Sequence, residues 1–221
     1  MLIAPPSPTS DALREFLELS PCPFAQLADV SACGPWSDPR ALPDRLDDLH
    51  RRLDELCRDD ARDLLVLELA RADRLRTPRD AAALLRATLE GLRARDGLCR
   101  DPLTKGIDSP DWDFEHAGER FFVSLFAPFY PDTHSRFSGH ASVGFILFQP
   151  ERGFRRFGVS SQLPGRERLS RAVGRRFYRH GQTYDATRNA RTPKALRFVK
   201  PLGSDEEPIA WWKVPYEAEV G

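Results

Sequence analysis

Few residues in this chain could do chemistry, and their spacing narrows what that chemistry would be. Five histidines stand at positions 50, 116, 134, 140 and 180. None pairs with another as His-Glu-x-x-His or with cysteines at zinc spacing, so the sequence predicts no three-ligand zinc site. A single axial histidine is enough for haem, which otherwise needs apolar and aromatic walls and cations for its propionates. Fourteen phenylalanines and a basic C-terminal third supply those ingredients, although an ordinary core and a solvated helix face are the commoner account of them. His134, two residues before Arg136, sits in the densest constellation of the chain, Pro128-Phe-Tyr-Pro-Asp-Thr-His-Ser-Arg136. A lone histidine beside an arginine is more often structural than catalytic. His50 lies next to a leucine stripe, where a satisfied core histidine and a helix-borne iron ligand are the two readings. Cys22, between two prolines, is a candidate thiolate ligand or redox centre; its apolar, locally acidic neighbourhood reads as that of a buried structural thiol.

These residues need elements to hold them. Gly118-Glu-Arg-Phe-Phe-Val-Ser-Leu-Phe126 reads as a buried strand running into the Pro-punctuated loop that carries His134 and Arg136. Val143-Gly-Phe-Ile-Leu-Phe148 is the return strand, continuous in apolar residues and therefore covered on both faces. The connection between the two strands is longer than a plain hairpin turn, and long loops inside compact domains usually carry function.

Upstream, residues 9–19 form a short helix capped by Ser10 or Asp11 and stopped at Ser20-Pro21. The segment from Pro21 to Trp36 reads as a loop or short strand. Leucines 42, 46, 49, 53 and 56 mark a helix from about Pro39 or Pro43 to Cys57. Leu64-Leu-Val-Leu-Glu-Leu69 is a central strand, and Thr77-Pro-Arg-Asp80 opens a helix ending near Gly97. A last helix, near 164–180, places Leu169, Val173 and Phe177 inward and Arg168, Arg171, Arg175 and Arg179 outward, with Gly181 as terminator. Residues 192–221 read as an extended C-terminal arm. Its Trp211-Trp212 pair needs a cover, which a second copy of the chain in a homodimer would supply. The fold class expected is α+β: a single domain, residues 1–221, with a central mixed or antiparallel sheet flanked by helices.

Composition bounds the partners. The 33 basic and 33 acidic residues cancel, yet residues 1–60 carry twelve Asp/Glu against six Arg while residues 152–200 carry fourteen Lys/Arg against two. The Arg-rich helix could grip phosphate backbones with Phe177 and Tyr178 as stacking partners, but no nucleic-acid module accompanies it and no nucleic-acid partner is expected. The start lacks a signal peptide and no run of eighteen apolar residues appears, so the expectation is a soluble, cytoplasmic chain without a membrane partner. Cys22, Cys33, Cys57 and Cys99 show no metal-ligand pairing and are expected as free thiols.

Five blocks carry a resemblance: Pro21-Cys-Pro-Phe-Ala25, Trp112-Asp-Phe114 with Gly118-Glu-Arg-Phe-Phe-Val123, Pro128-Phe-Tyr-Pro-Asp-Thr-His-Ser-Arg136, Phe148-Gln-Pro-Glu151, and Phe154. Together they resemble the YqcI/YcgG family, and the His-Ser-Arg form resembles its haem-dependent guanidine N-hydroxylase branch, over about residues 20–157. The resemblance implies a haem b-dependent monooxygenase that hydroxylates a guanidino nitrogen of L-arginine, giving Nω-hydroxy-L-arginine, or of a close derivative, in antibiotic biosynthesis, with dioxygen or peroxide as co-substrate. A non-enzymatic haem-binding or sensor protein of the same fold is the alternative. Under this resemblance His134 is the first candidate for axial ligand, His50 the second, and Arg136 a candidate partner for a carboxylate. A guanidinium is a planar, permanently charged fork of five donors, so its pocket must offer carboxylates or carbonyls. Asp113, Glu115 and Asp132 are the nearest carboxylates in sequence.

Overall fold

The protein was analysed as a computed structural model, which describes residues 10–22, 24–25, 28–36, 45–98, 103, 106–156 and 163–216. Its centre is a mixed five-stranded sheet. The strands are β1 (Val30–Trp36), β2 (Leu64–Ala70), β3 (Phe114–His116), β4 (Glu119–Phe126) and β5 (Val143–Pro150), in the spatial order β1-β2-β5-β4-β3. β1 and β2 are parallel and every other pair is antiparallel. Of the two arrangements expected, mixed or antiparallel, the sheet is therefore the mixed one. The parallel pair needs a crossover, and α2 (Leu46–Arg58) supplies it. The start expected for that helix, at Pro39 or Pro43, lies outside the described residues.

Period-two burial follows from the pleat. Leu65, Leu67 and Leu69 of β2, Ile146 and Phe148 of β5, and Phe121, Val123 and Leu125 of β4 point to one face. There α2 and α3 (Pro78–Arg95) lay down Leu49, Leu53, Leu56, Leu85, Leu89 and Leu92, all at most 2 % exposed. Each such leucine contributes roughly 1.5–3 kcal/mol relative to leaving it in water. α3 begins at a full capping box, Thr77 accepting from the Asp80 N–H and Asp80 from the Thr77 N–H, with Pro78 in its first turn, and ends at Arg95, just short of Gly97.

The opposite face is built from Leu64, Val66, Phe126, Phe145 and Leu147. α1 (Asp11–Leu19) packs on it through Leu13 and Phe16. Ser10 is its N-cap, accepting from the Leu13 N–H, and its hydroxyl also donates to Glu68 on β2. The basic helix α5 (Leu163–Arg179) turns Val173 and Phe177 inward and leaves Arg168, Arg171, Arg175 and Arg179 exposed, as its spacing predicts.

Two short helices, α4 (Glu151–Arg156) after β5 and α6 (Ala186–Arg191) beyond α5, were not marked by any periodic run in the sequence. The segment after α6 is not extended throughout. It folds back in 3-10 turns at Ala195–Arg197 and Trp211–Lys213. Phe198 O accepts from the Leu125 N–H, so this segment covers the edge of β4 that the short β3 leaves open. Trp211 is fully buried, its indole donating to Ala195 O at 2.9 Å. The chain thus covers this tryptophan itself, without a second copy. Among the described residues no helix is long and apolar enough to cross a membrane.

Candidate functional site: a cation-walled cavity on one face of the sheet

On the face opposite α2 and α3, the sheet and α5 enclose a cavity of about 290 Å³, at the lower edge of the roughly 300–1,000 Å³ of small-molecule sites. Pleat alternation aims Phe122, Ser124 and Phe126 of β4 and Leu147 and Gln149 of β5 into it. α5 roofs it with Leu169, Val173 and Phe177, and the loop after α1 closes one side with Cys22, Phe24 and Ala25.

The remaining wall is charged. Arg136, Arg197 and Lys200 line the cavity together. The loop after β4 is pinned by Ala127 N–H donating to Arg136 O, which sets the Arg136 side chain over the Phe126 ring at 4.8 Å. Its Nη2 donates to Arg197 O at 2.9 Å. Arg197 in turn stacks over Phe122 at 5.2 Å, and Lys200 sits over Tyr184 at 4.7 Å while donating to Ser135 Oγ at 3.2 Å. Arg136 is 6 % exposed, and among the described residues no carboxylate pairs with it or with Lys200. Burial, then the neighbouring Arg136 and Arg197 charges, holds the Lys200 ammonium well below its ordinary value; burial likewise lowers the Arg136 guanidinium. A buried cation is normally paired, so Arg136, with no carboxylate partner among the described residues, is a place for an anion.

Two carboxylates lie elsewhere on the same cavity. Asp113, just before β3, and Glu151, just after β5, are bridged by Lys194, whose Nζ also donates to Asp113 Oδ1 and lies 3.8 Å from Glu151 Oε1. One cavity therefore offers an anion-seeking wall and a pair of carboxylates. Of the three carboxylates nearest in sequence, Asp113 is on the wall, whereas Glu115 and Asp132 are not among the lining residues.

The two histidines proposed from sequence are placed differently. His134 Nδ1 accepts from the Arg136 N–H at 3.1 Å, which leaves the ring proton on Nε2. The imidazole is thus the Nε2–H tautomer, stacked on Tyr130 at 4.3 Å. Burial first, then the Lys200 and Arg136 charges, pushes it down to about 4. So held, it shapes the loop that presents Arg136, offers no free lone pair to a metal, and is not among the cavity's lining residues. His50 is on α2, across the sheet, with Nδ1 3.3 Å from His116 Nε2.

Cys22, an iron-binding type of side chain, does reach the wall, as does Tyr184. Burial raises its thiol; the backbone N–H groups of Phe24 and Ala25, then the charges of Arg136 and Arg176, act in the opposite direction. N–H groups aimed at a sulfur stabilise its thiolate. The sequence signal was the Pro21-Cys-Pro-Phe-Ala25 block itself, read there as a buried structural thiol.

No family model, no curated protein and no solved structure matches the chain. What the fold and site define is a class, an α+β protein whose cavity joins aromatic walls, buried cations and a carboxylate pair.

Proposed function

We propose that the protein is a haem-dependent monooxygenase acting on a guanidino nitrogen of L-arginine or a close derivative, with its active site in the cavity between β4, β5 and α5. One observation carries this reading. The blocks that resemble guanidine N-hydroxylases are scattered over more than a hundred residues, yet Cys22, Phe24, Asp113, Phe122, Arg136, Gln149 and Phe154 from them converge on this cavity.

The donor set fits haem through Cys22. Phenylalanines supply apolar walls, and Arg136, Arg197 and Lys200 supply partners for propionates or for a substrate carboxylate. A metal deprotonates a coordinating thiol outright, so the raised value of the free Cys22 thiol is no obstacle. Bound there, haem would supply oxygen activation, favoured by the electron push of a thiolate ligand. The chain's own residues then bind and orient. Asp113 and Glu151 take the guanidinium fork, releasing Lys194, and the buried cations take the α-carboxylate. The cavity volume accommodates an amino acid directly; a haem macrocycle together with its substrate needs more room than this structure offers.

The test is the absorption spectrum of the haem-supplemented chain with and without L-arginine. A stoichiometric Soret band that moves on adding arginine supports the hydroxylase, and a band with no substrate-dependent oxygen consumption leaves a haem-binding protein. Absence of a band rejects haem. Cys22→Ala is expected to abolish the band's thiolate character while His134→Ala retains it; the reverse pattern returns the ligand to His134.

A further inference from the structure

Across the sheet from the cavity, three side chains meet that no sequence motif joined. His50 and Asp54 are one turn apart on α2, and His116 comes from β3, the edge strand. Asp54 Oδ1 is 3.0 Å from His116 Nε2, His50 Nδ1 is 3.3 Å from the same nitrogen, and His50 Nδ1 is 3.9 Å from Asp54 Oδ1. Ligand atoms on a tetrahedral zinc ion, with bonds of about 2.0–2.1 Å, stand about 3.3–3.4 Å apart. The triangle already has nearly that size.

Its hydrogen bonding is incomplete without an ion. His116 is fully buried, and its Nδ1 has no hydrogen-bond partner. The nearest group is Asp96 Oδ2, at 3.9 Å, on a side chain 4 % exposed. If His116 donates from Nε2 to Asp54, its bare Nδ1 faces the Asp96 carboxylate, acceptor against acceptor. Moving the proton to Nδ1 gives Asp96 a donor but leaves a bare Nε2 against a carboxylate and a second imidazole. A divalent cation at Nε2 resolves the conflict, with Nδ1–H donating to Asp96 in a carboxylate–histidine–metal relay.

We propose that His50, Asp54 and His116 bind one divalent transition-metal ion of the zinc class, oriented by Asp96, at a site separate from the cavity. Two imidazoles and one carboxylate suit zinc rather than magnesium or calcium. Cys57 is not a ligand: its thiol is turned to His116 O, donating at 3.6 Å. Arg58 engages the other Asp54 oxygen at 3.5 Å, leaving Oδ1 for the ion. His50 and Asp54 side chains are 27 % and 24 % exposed, which gives the ion an entry path and an open fourth position. The ion ties the edge strand β3 to α2.

The experiment is calorimetric titration of the haem-free full chain with Zn²⁺, with Co²⁺ absorption as a report of tetrahedral geometry. One Zn²⁺ per chain is expected. Asp96→Asn should weaken binding by about 10–100-fold, and His50→Ala, at a partly exposed position that tolerates truncation, should weaken it further; His180→Ala should leave it unchanged. A chelator should lower the thermal midpoint of the wild type and not that of His50→Ala. No uptake by the wild-type chain, or undiminished uptake by His50→Ala, overturns the proposal. Because haem is absent throughout, these outcomes are independent of the cavity's assignment.

Discussion

The two faces of the sheet solve the same packing problem in opposite ways. Under α2 and α3, leucines close the face with hydrocarbon until positions such as Leu53, Leu67 and Leu85 have no exposure. Under α5, the same strands present Phe122, Ser124 and Gln149 to a space that helix side chains do not fill, and the buried Arg136 stands at its edge with the half-buried Arg197 and Lys200. The lesson is that stability and binding are segregated across one sheet, a strand serving each with alternate residues.

Truncation should break that comparison most strongly on the closed face. Leu67→Ala removes a fully buried side chain from the centre of the sheet and is expected to cost about 2–5 kcal/mol, read as a lower urea midpoint with unchanged slope. On the open face the sign should reverse. Arg136→Met replaces a buried guanidinium that no carboxylate pairs with among the described residues, so stability should hold or rise by up to about 2 kcal/mol, while L-arginine or haem binding to the cavity is lost. A large destabilisation would mean that Arg136 is structural and would dissolve the contrast.

A pH titration of stability sharpens it further. His134 has a folded value of about 4, depressed by burial, against about 6.5 in an unfolded chain. Between those values the unfolded state binds more protons, so the contribution of His134 is complete above about pH 6.5 and is lost as pH falls towards 4. His134→Gln should flatten the acid limb of the urea midpoint over that window. The smallest effect expected is at the α3 cap, where Thr77→Ala should cost about 1 kcal/mol and leave cavity binding unaltered.

The helices and the central strands were legible in the sequence because their signals are local. Ser10, Thr77 with Pro78 and Asp80, and the leucine spacing of α2 each act within a few residues. The short α4 and α6 were missed because six residues with one buried position each carry no period. The 3-10 turns of the C-terminal segment were missed because their form depends on β4 and α3 beneath them. At the site, Arg136 and the role of its loop were visible, whereas the function of His134 depended on its Nδ1 accepting from the Arg136 N–H and its ring stacking on Tyr130, which the folded loop decides.

By itself, then, the sequence determined the element types, the α+β class and which residues had chemistry to offer, since propensity, capping and periodicity are short-range effects. Only the tertiary structure decided which of them meet. The crossover and the antiparallel returns put Cys22, Asp113, Arg136 and Lys200 around one cavity and His50, Asp54 and His116 on the other face. Such encounters depend on strand order and register, which contacts between distant residues fix and no local spacing records.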